Sequence, residues 1–115
     1  MLKIFDTIYK LNIMSGVITN NLYMLYEDRN SLSKLAQDIN RAIVSLQEEV
    51  WAVDAYRQRA EASSDPELKE ILLHHAKEEK EHAAMLIEWL RRVDPEFDHE
   101  VKDNIMKQWK IVTPH

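Results

Sequence analysis

The chain has 115 residues, is 45% hydrophobic and 30% charged, and carries a formal net charge of −5 from 20 acidic and 15 basic residues. That length allows one small domain, or a hairpin that completes its core by assembling, and the composition argues against both a disordered chain and, with no basic stripe, a nucleic-acid partner. Without cysteine there is no iron–sulfur cluster, thiolate zinc site, thiol catalysis or disulfide, and the single glycine, Gly16, leaves no glycine-rich phosphate cradle.

Residues 1–30 hold Ile, Tyr, Met and Asn without a clean period and read as a poorly defined N-terminal extension. Lys3, Asp6 and Lys10 interrupt the apolar residues at the start, and no run approaches a membrane span. No membrane is expected as a partner, and a cytoplasmic protein is the default.

A helical hairpin is predicted over 31–94. Ser31 or Ser33 can cap a first helix running to about Ser63. Ser64 with Glu67 has the capping-box pattern, and Pro66 suits the first turn of a second helix. That helix continues to Arg91 and Arg92, cations suited to a helix C-terminus, and stops at Asp94-Pro95. The remainder, 95–115, reads as a short helix near 95–109 with Phe97, Val101, Ile105 and Trp109 on one stripe, followed by a tail.

Both long helices carry a 4-3 seam. The first reads Leu35, Ile39, Ala42, Leu46, Glu49, Val53, Tyr56, Ala60, and the second Leu68, Leu72, His75, Glu79, His82, Leu86, Trp89, Val93. In an antiparallel hairpin, residues at one height have numbers of constant sum. Pairing 35 with 93, 46 with 82, 49 with 79 and 60 with 68 puts the turn at residue 64, where the capping signals also put it. The fold class is therefore all-α: an antiparallel helical hairpin plus a short third helix.

Glu49 is the only carboxylate in the first seam, and His75, Glu79 and His82 are the polar members of the second. Two carboxylates and an imidazole converging in an apolar seam need a cation, because a buried carboxylate without a partner is costly. Glu79-Lys80-Glu81-His82 has the Glu-x-x-His spacing of di-iron carboxylate bundles, in which two helices each give a lone Glu and two give Glu-x-x-His. The motif alone is weak, since this composition produces roughly half an occurrence by chance. A second copy, Glu96 to His99, has no lone Glu opposite and reads as solvated surface. One hairpin supplies half the ligand set, so a two-fold homodimer forming a four-helix bundle would complete it.

From about residue 38 to 100 the chain resembles the encapsulated ferritins, iron-oxidising proteins housed in encapsulin shells. The resemblance rests on Arg41-Ala42-Ile43-Val44-Ser45, Glu48-Glu49, Ala52-Val53-Asp54, Asp65-Pro66-Glu67-Leu68, Glu78-Glu79-Lys80-Glu81-His82-Ala83-Ala84-Met85 and Glu88-Trp89-Leu90-Arg91-Arg92. It implies a ferroxidase that oxidises Fe(II) to Fe(III) for iron storage and detoxification. The dinuclear iron centre would form across a homodimer interface, with dimers closing into a ring and the shell protein as a further partner. The iron ligands would be Glu49, Glu79 and His82, with Glu79 bridging the two ions, and Tyr56 would lie near the site.

An outer metal-uptake site in that family uses acids matching Glu48 and Trp51, and Trp51 is not an acid. Ala55 stands where the family has a tryptophan, and residues 110–115 lack a Gly/Ser/Leu-rich docking tail.

Blander readings stand beside these. For His75 a core histidine bonded to a carbonyl competes with a ligand or supporting role, and for Tyr56 core packing competes with redox participation. His74 and His115 read as solvated. Glu70, Glu78, Glu81 and Glu88, interspersed with Lys69, Lys77 and Lys80, read as a solvated face. Two other functions fit the same residues: a metal-stabilised helical oligomer without turnover, and a peroxide-scavenging di-iron protein.

Overall fold

A computed structural model describes residues 25–113. The predicted N-terminal extension falls mostly on residues 1–24, and His115 on the far end, outside the described residues. The described chain forms a single 3-10 turn, Arg29–Ser31, and three α-helices: α1 Lys34–Ala62, α2 Pro66–Val93 and α3 Pro95–Asn104. No helix among the described residues is long and apolar enough to cross a membrane.

Local chemistry sets each boundary. Ser33 caps α1 by accepting a hydrogen bond from the Ala36 amide at 3.0 Å. Beyond Ala62 the backbone turns extended at Ser63, whose hydroxyl donates to the Arg59 carbonyl at 2.6 Å. The cap of α2 is Asp65 rather than Ser64: its carboxylate accepts from the Leu68 amide at 2.8 Å, with Pro66 opening the first turn. Asp and Ser are both good caps, and the residue adjoining the proline holds the position. Asp94 serves two helices. Its amide donates to the Leu90 carbonyl to end α2, and its carboxylate accepts from the Glu96 and Phe97 amides to begin α3.

The third helix ends at Asn104, short of the predicted residue 109. The Asn104 side chain donates to the Glu100 carbonyl, Ile105 is extended, and Met106 has φ of 63°. A left-handed residue just past a cap terminates helices, and glycine usually fills that place. Ile105 and Trp109 of the predicted stripe are consequently exposed.

The hairpin closes over small side chains. Its buried apolar residues are Ala42, Ala52 and Ala60 from α1 and Ala76, Ala83 and Leu90 from α2, and no large side chain is fully buried. The innermost line of α2 thus lies one residue on from the predicted His75, His82 and Trp89. Leu35, Leu68 and Trp89 of the predicted seam are exposed. Methyl groups let helices approach closely, which displaces the bulky seam residues to the flank.

One buried polar side chain braces the start of α1. The Gln37 amide donates to the carbonyls of Arg29 and Leu32, each at 3.1 Å, tying the 3-10 turn to the helix. Gln37→Ala leaves these acceptors without their donor and should cost about 1–2 kcal/mol, read as a lower urea midpoint with helicity unchanged.

An ion network fixes α3 against α2 across Asp94-Pro95. Arg91 donates to both oxygens of Glu88 (2.7 and 2.9 Å) and to Asp98 (2.5 Å), Arg92 donates to Glu88 (2.7 Å), and Lys102 pairs with Asp98 (2.9 Å). Hydrogen bonds from Arg91 and Arg92 hold the Glu88 carboxyl down at about 2, and bonds from Lys102 and Arg91 lower Asp98. Depressed carboxylates stabilise the fold above their ordinary range and lose that contribution as pH falls toward the folded value. The melting-temperature gap between wild type and Asp98→Asn should therefore be constant from pH 7 to about 5 and narrow between about 4.5 and 2. A gap that widens on acidification would contradict the network.

Candidate metal centre

Glu49 lies near the middle of α1, and Glu79 and His82 lie three residues apart near the middle of α2. Residues at that spacing share a helix face, and the antiparallel register puts Glu49 opposite Glu79. The structure brings the three together, with one ligand atom from each lying within 4.8 Å of the others. His82 Nδ1 is 3.4 Å from Glu79 Oε2 and 3.6 Å from Glu49 Oε2.

Burial is uneven across the group. The side chains of Glu49 and Glu79 are 13% and 15% exposed, whereas that of His82 is 49% exposed. The carboxylates therefore line the hairpin interior and the imidazole closes the group from its open side.

The residues fit a bound cation. Glu49 Oε2 is buried and has no hydrogen-bond partner. His82 Nδ1 meets Glu79 Oε2 in a long hydrogen bond at 3.4 Å, but Glu49 Oε2 at 3.6 Å is out of its hydrogen-bond range, so the imidazole leaves Glu49 unsatisfied. Donors about 2.1 Å from one ion lie up to about 4.2 Å apart, within small side-chain adjustments of the observed spacing. Carboxylate and imidazole together suit iron, manganese, cobalt or zinc.

The other predicted residues lie outside this group. Glu48 is half-buried, and burial pushes its carboxyl above the ordinary range; it precedes Glu49 and so points about 100° around α1. Trp51 is exposed. Tyr56 and His75 pack together instead, with ring centroids 5.0 Å apart and planes tilted by 59°. The Arg59 guanidinium sits 5.9 Å from the Tyr56 ring centre. His75 Nδ1 is buried with no partner, so the expected carbonyl bond is not made. His74 is exposed and pairs with Glu78 at 2.9 Å. Glu96 and His99 are exposed on α3 and join no candidate metal group.

Two elements escaped the sequence reading. Gln37 carried no periodic signal. The link from Arg91 to Asp98 spans a proline, although Glu88, Arg91 and Arg92 stand at helical spacing and half of the network was open to view.

The EncFtn-like family matches residues 24–108. An encapsulated ferritin-like protein of Rhodospirillum rubrum is 51% identical over 72 residues, which are 63% of this chain and 51% of that protein. A ferritin-like protein of Thermotoga maritima is 43% identical over 67% of this chain and 68% of its own length. The encapsulin nanocompartment cargo protein EncC of Myxococcus xanthus is 30% identical over 83% of this chain and 70% of its own. The chain thus spans about half the length of the first relative and about two thirds of the other two. The crystal structure of a Nitrosomonas europaea protein superposes with a TM-score of 0.74 at 52% identity, covering 77% of this chain and 98% of that one.

Proposed function

The chain belongs to the EncFtn-like family, and from that premise we propose that it is a ferroxidase whose dinuclear iron centre forms between two copies of the hairpin. The observation that carries this reading is the meeting of Glu49, Glu79 and His82 at one level, with the inner oxygen of Glu49 buried and unpartnered.

Iron is the substrate. Two Fe(II) ions each lose one electron, and the pair of electrons reduces dioxygen with two protons to hydrogen peroxide, or reduces hydrogen peroxide with two protons to water. The chain's part is to hold the ions side by side. Glu79, inside the hairpin and beside His82, would offer one oxygen to each ion. Glu49 and His82 complete the shell from opposite helices, and by symmetry the second copy supplies the same three donors. The carboxylates neutralise the incoming charge, and their partial burial limits water around the ions.

The dimer has two supports. One hairpin holds one lone Glu and one Glu-x-x-His, half of the ligand set of a di-iron four-helix bundle. The hairpin interior is five alanines and a leucine, while Ile43, Val50, Leu68, Ile71, Met85 and Trp89 stay exposed. A chain this small with so little buried apolar area needs another surface to be stable. Residence inside an encapsulin shell rests on the likeness to the encapsulated ferritin-like protein of Rhodospirillum and the encapsulin cargo protein of Myxococcus, and closure of dimers into a ring is carried over from the family resemblance of the sequence.

The test is the early rise of ferric absorbance when the purified protein meets Fe(II) in air, set against the uncatalysed rate. A rise no faster than in buffer, from protein of full helicity, would leave a metal-stabilised oligomer without turnover as the better reading.

A further inference from the structure

The chain enters the hairpin along one flank of α1. Gln37 donates to the carbonyls of Arg29 and Leu32, which docks the 3-10 turn on that side of the helix. Val44 and Trp51 follow Gln37 at intervals of seven residues, so the three stand in line along α1. Glu48 and Ala55 lie beside that line, and Leu73 of α2 is level with residue 55 in the antiparallel register, about 180° round its helix from His82. Trp51 is 41% and Leu73 48% exposed, and Val44, Glu48 and Ala55 are half-buried. At about 100° per residue, Val44, Glu48, Trp51 and Ala55 point about 100–160° away from Glu49. A second hairpin completing the metal centre therefore leaves this flank open.

Residues 1–24 lie outside the described span and, up to residue 23, outside the EncFtn-like match. Their only charged side chains are Lys3, Asp6 and Lys10, set among Ile4, Phe5, Ile8, Tyr9, Leu11 and Ile13. So apolar a stretch needs a surface to cover it. It joins the described chain at Leu25, just ahead of the turn that Gln37 holds, and Trp51 is about 21 Å along α1 from Gln37. A stretch of that length spans up to about 80 Å when extended and about 36 Å as a helix, so the whole flank is within its reach. Lys3 and Lys10 also complement the carboxylate that Glu48 adds to the flank.

We propose that residues 1–24 pack along this flank of their own hairpin, with apolar side chains over Val44, Trp51 and Leu73 and a lysine at Glu48. The segment gives the hairpin a cover on the side that a partner at the metal centre leaves bare. Neither metal binding nor iron oxidation is needed for it.

The chain has no cysteine, so Leu73→Cys or Ala55→Cys in the full chain accepts a single benzophenone maleimide. After irradiation, both labels should capture peptides from residues 1–24, on material of single-chain mass in denaturing gels. A label at Ile43→Cys, which faces about 100° away from Val44 round α1, should not capture them. Phe5→Asp combined with Ile8→Asp should lose the capture. Capture of the tail beyond α3, of another hairpin, or of residues 1–24 only in material of double-chain mass would overturn the proposal. So would capture no greater than in denatured protein, or capture that survives the two aspartates.

Discussion

Glu79→Ala is expected to abolish rapid Fe(II) oxidation, lowering the initial rate by at least about 100-fold. On the proposed function Glu79 would span two ions, and without it the ions would separate and two-electron chemistry would end. Glu49→Ala and His82→Ala should each cause a large loss as well, since two-fold symmetry makes every substitution remove donors from both ions. Glu96→Ala and His99→Ala repeat the same motif on α3, where both residues are exposed and join no candidate metal group, and should oxidise iron at the wild-type rate. Stability should move against activity in one case. Glu49 Oε2 is buried and unpartnered, so Glu49→Ala should raise the urea midpoint of the metal-free protein while removing its activity. Stopped-flow ferric absorbance on variants of matched helicity reads the rates. Loss in the α3 variants with retention in the three seam variants would overturn the assignment.

The second large effect concerns assembly. Stripping metal with a strong chelator should shift the protein to smaller species and lower its melting temperature by on the order of 10 °C or more, because a ligand at 1,000 times its dissociation constant contributes about 4 kcal/mol. The cause is charge. Glu49 and Glu79 are largely buried in one hairpin, and pairing two hairpins crowds four carboxylates that repel without cations between them. Sedimentation velocity before and after chelation, then after adding back Fe(II) without oxygen or Zn(II) in air, tests this. An unchanged distribution would show that the assembly stands without its metal.

Much of the hairpin was legible because its signals were local and redundant. Ser33, Pro66 and Asp94-Pro95 each mark a boundary by backbone chemistry, and the register that pairs 49 with 79 comes from a turn position the capping residues also mark. The innermost line was less legible. A periodic pattern follows large apolar residues, yet the space between two close helices goes to Ala52, Ala76 and Ala83, whose small size carries little weight in any hydrophobic pattern. The end of α3 was hidden for another reason: Met106 takes a left-handed conformation that methionine does not advertise. For His75 the sequence leaves a carbonyl-bonded core histidine beside a ligand or supporting role, and only the packed structure shows that its buried Nδ1 meets no partner.

The alanine interior also bears on which ions the centre accepts. Ala52 is one turn beyond Glu49, and Ala76 and Ala83 lie on either side of Glu79, so methyl groups are the shims between the helices where the carboxylates face each other. On the proposed function the bite of the ligand set would therefore be calibrated by residues that donate nothing to a metal. Drift at those positions would retune ionic-radius selectivity with Glu49, Glu79 and His82 all left in place.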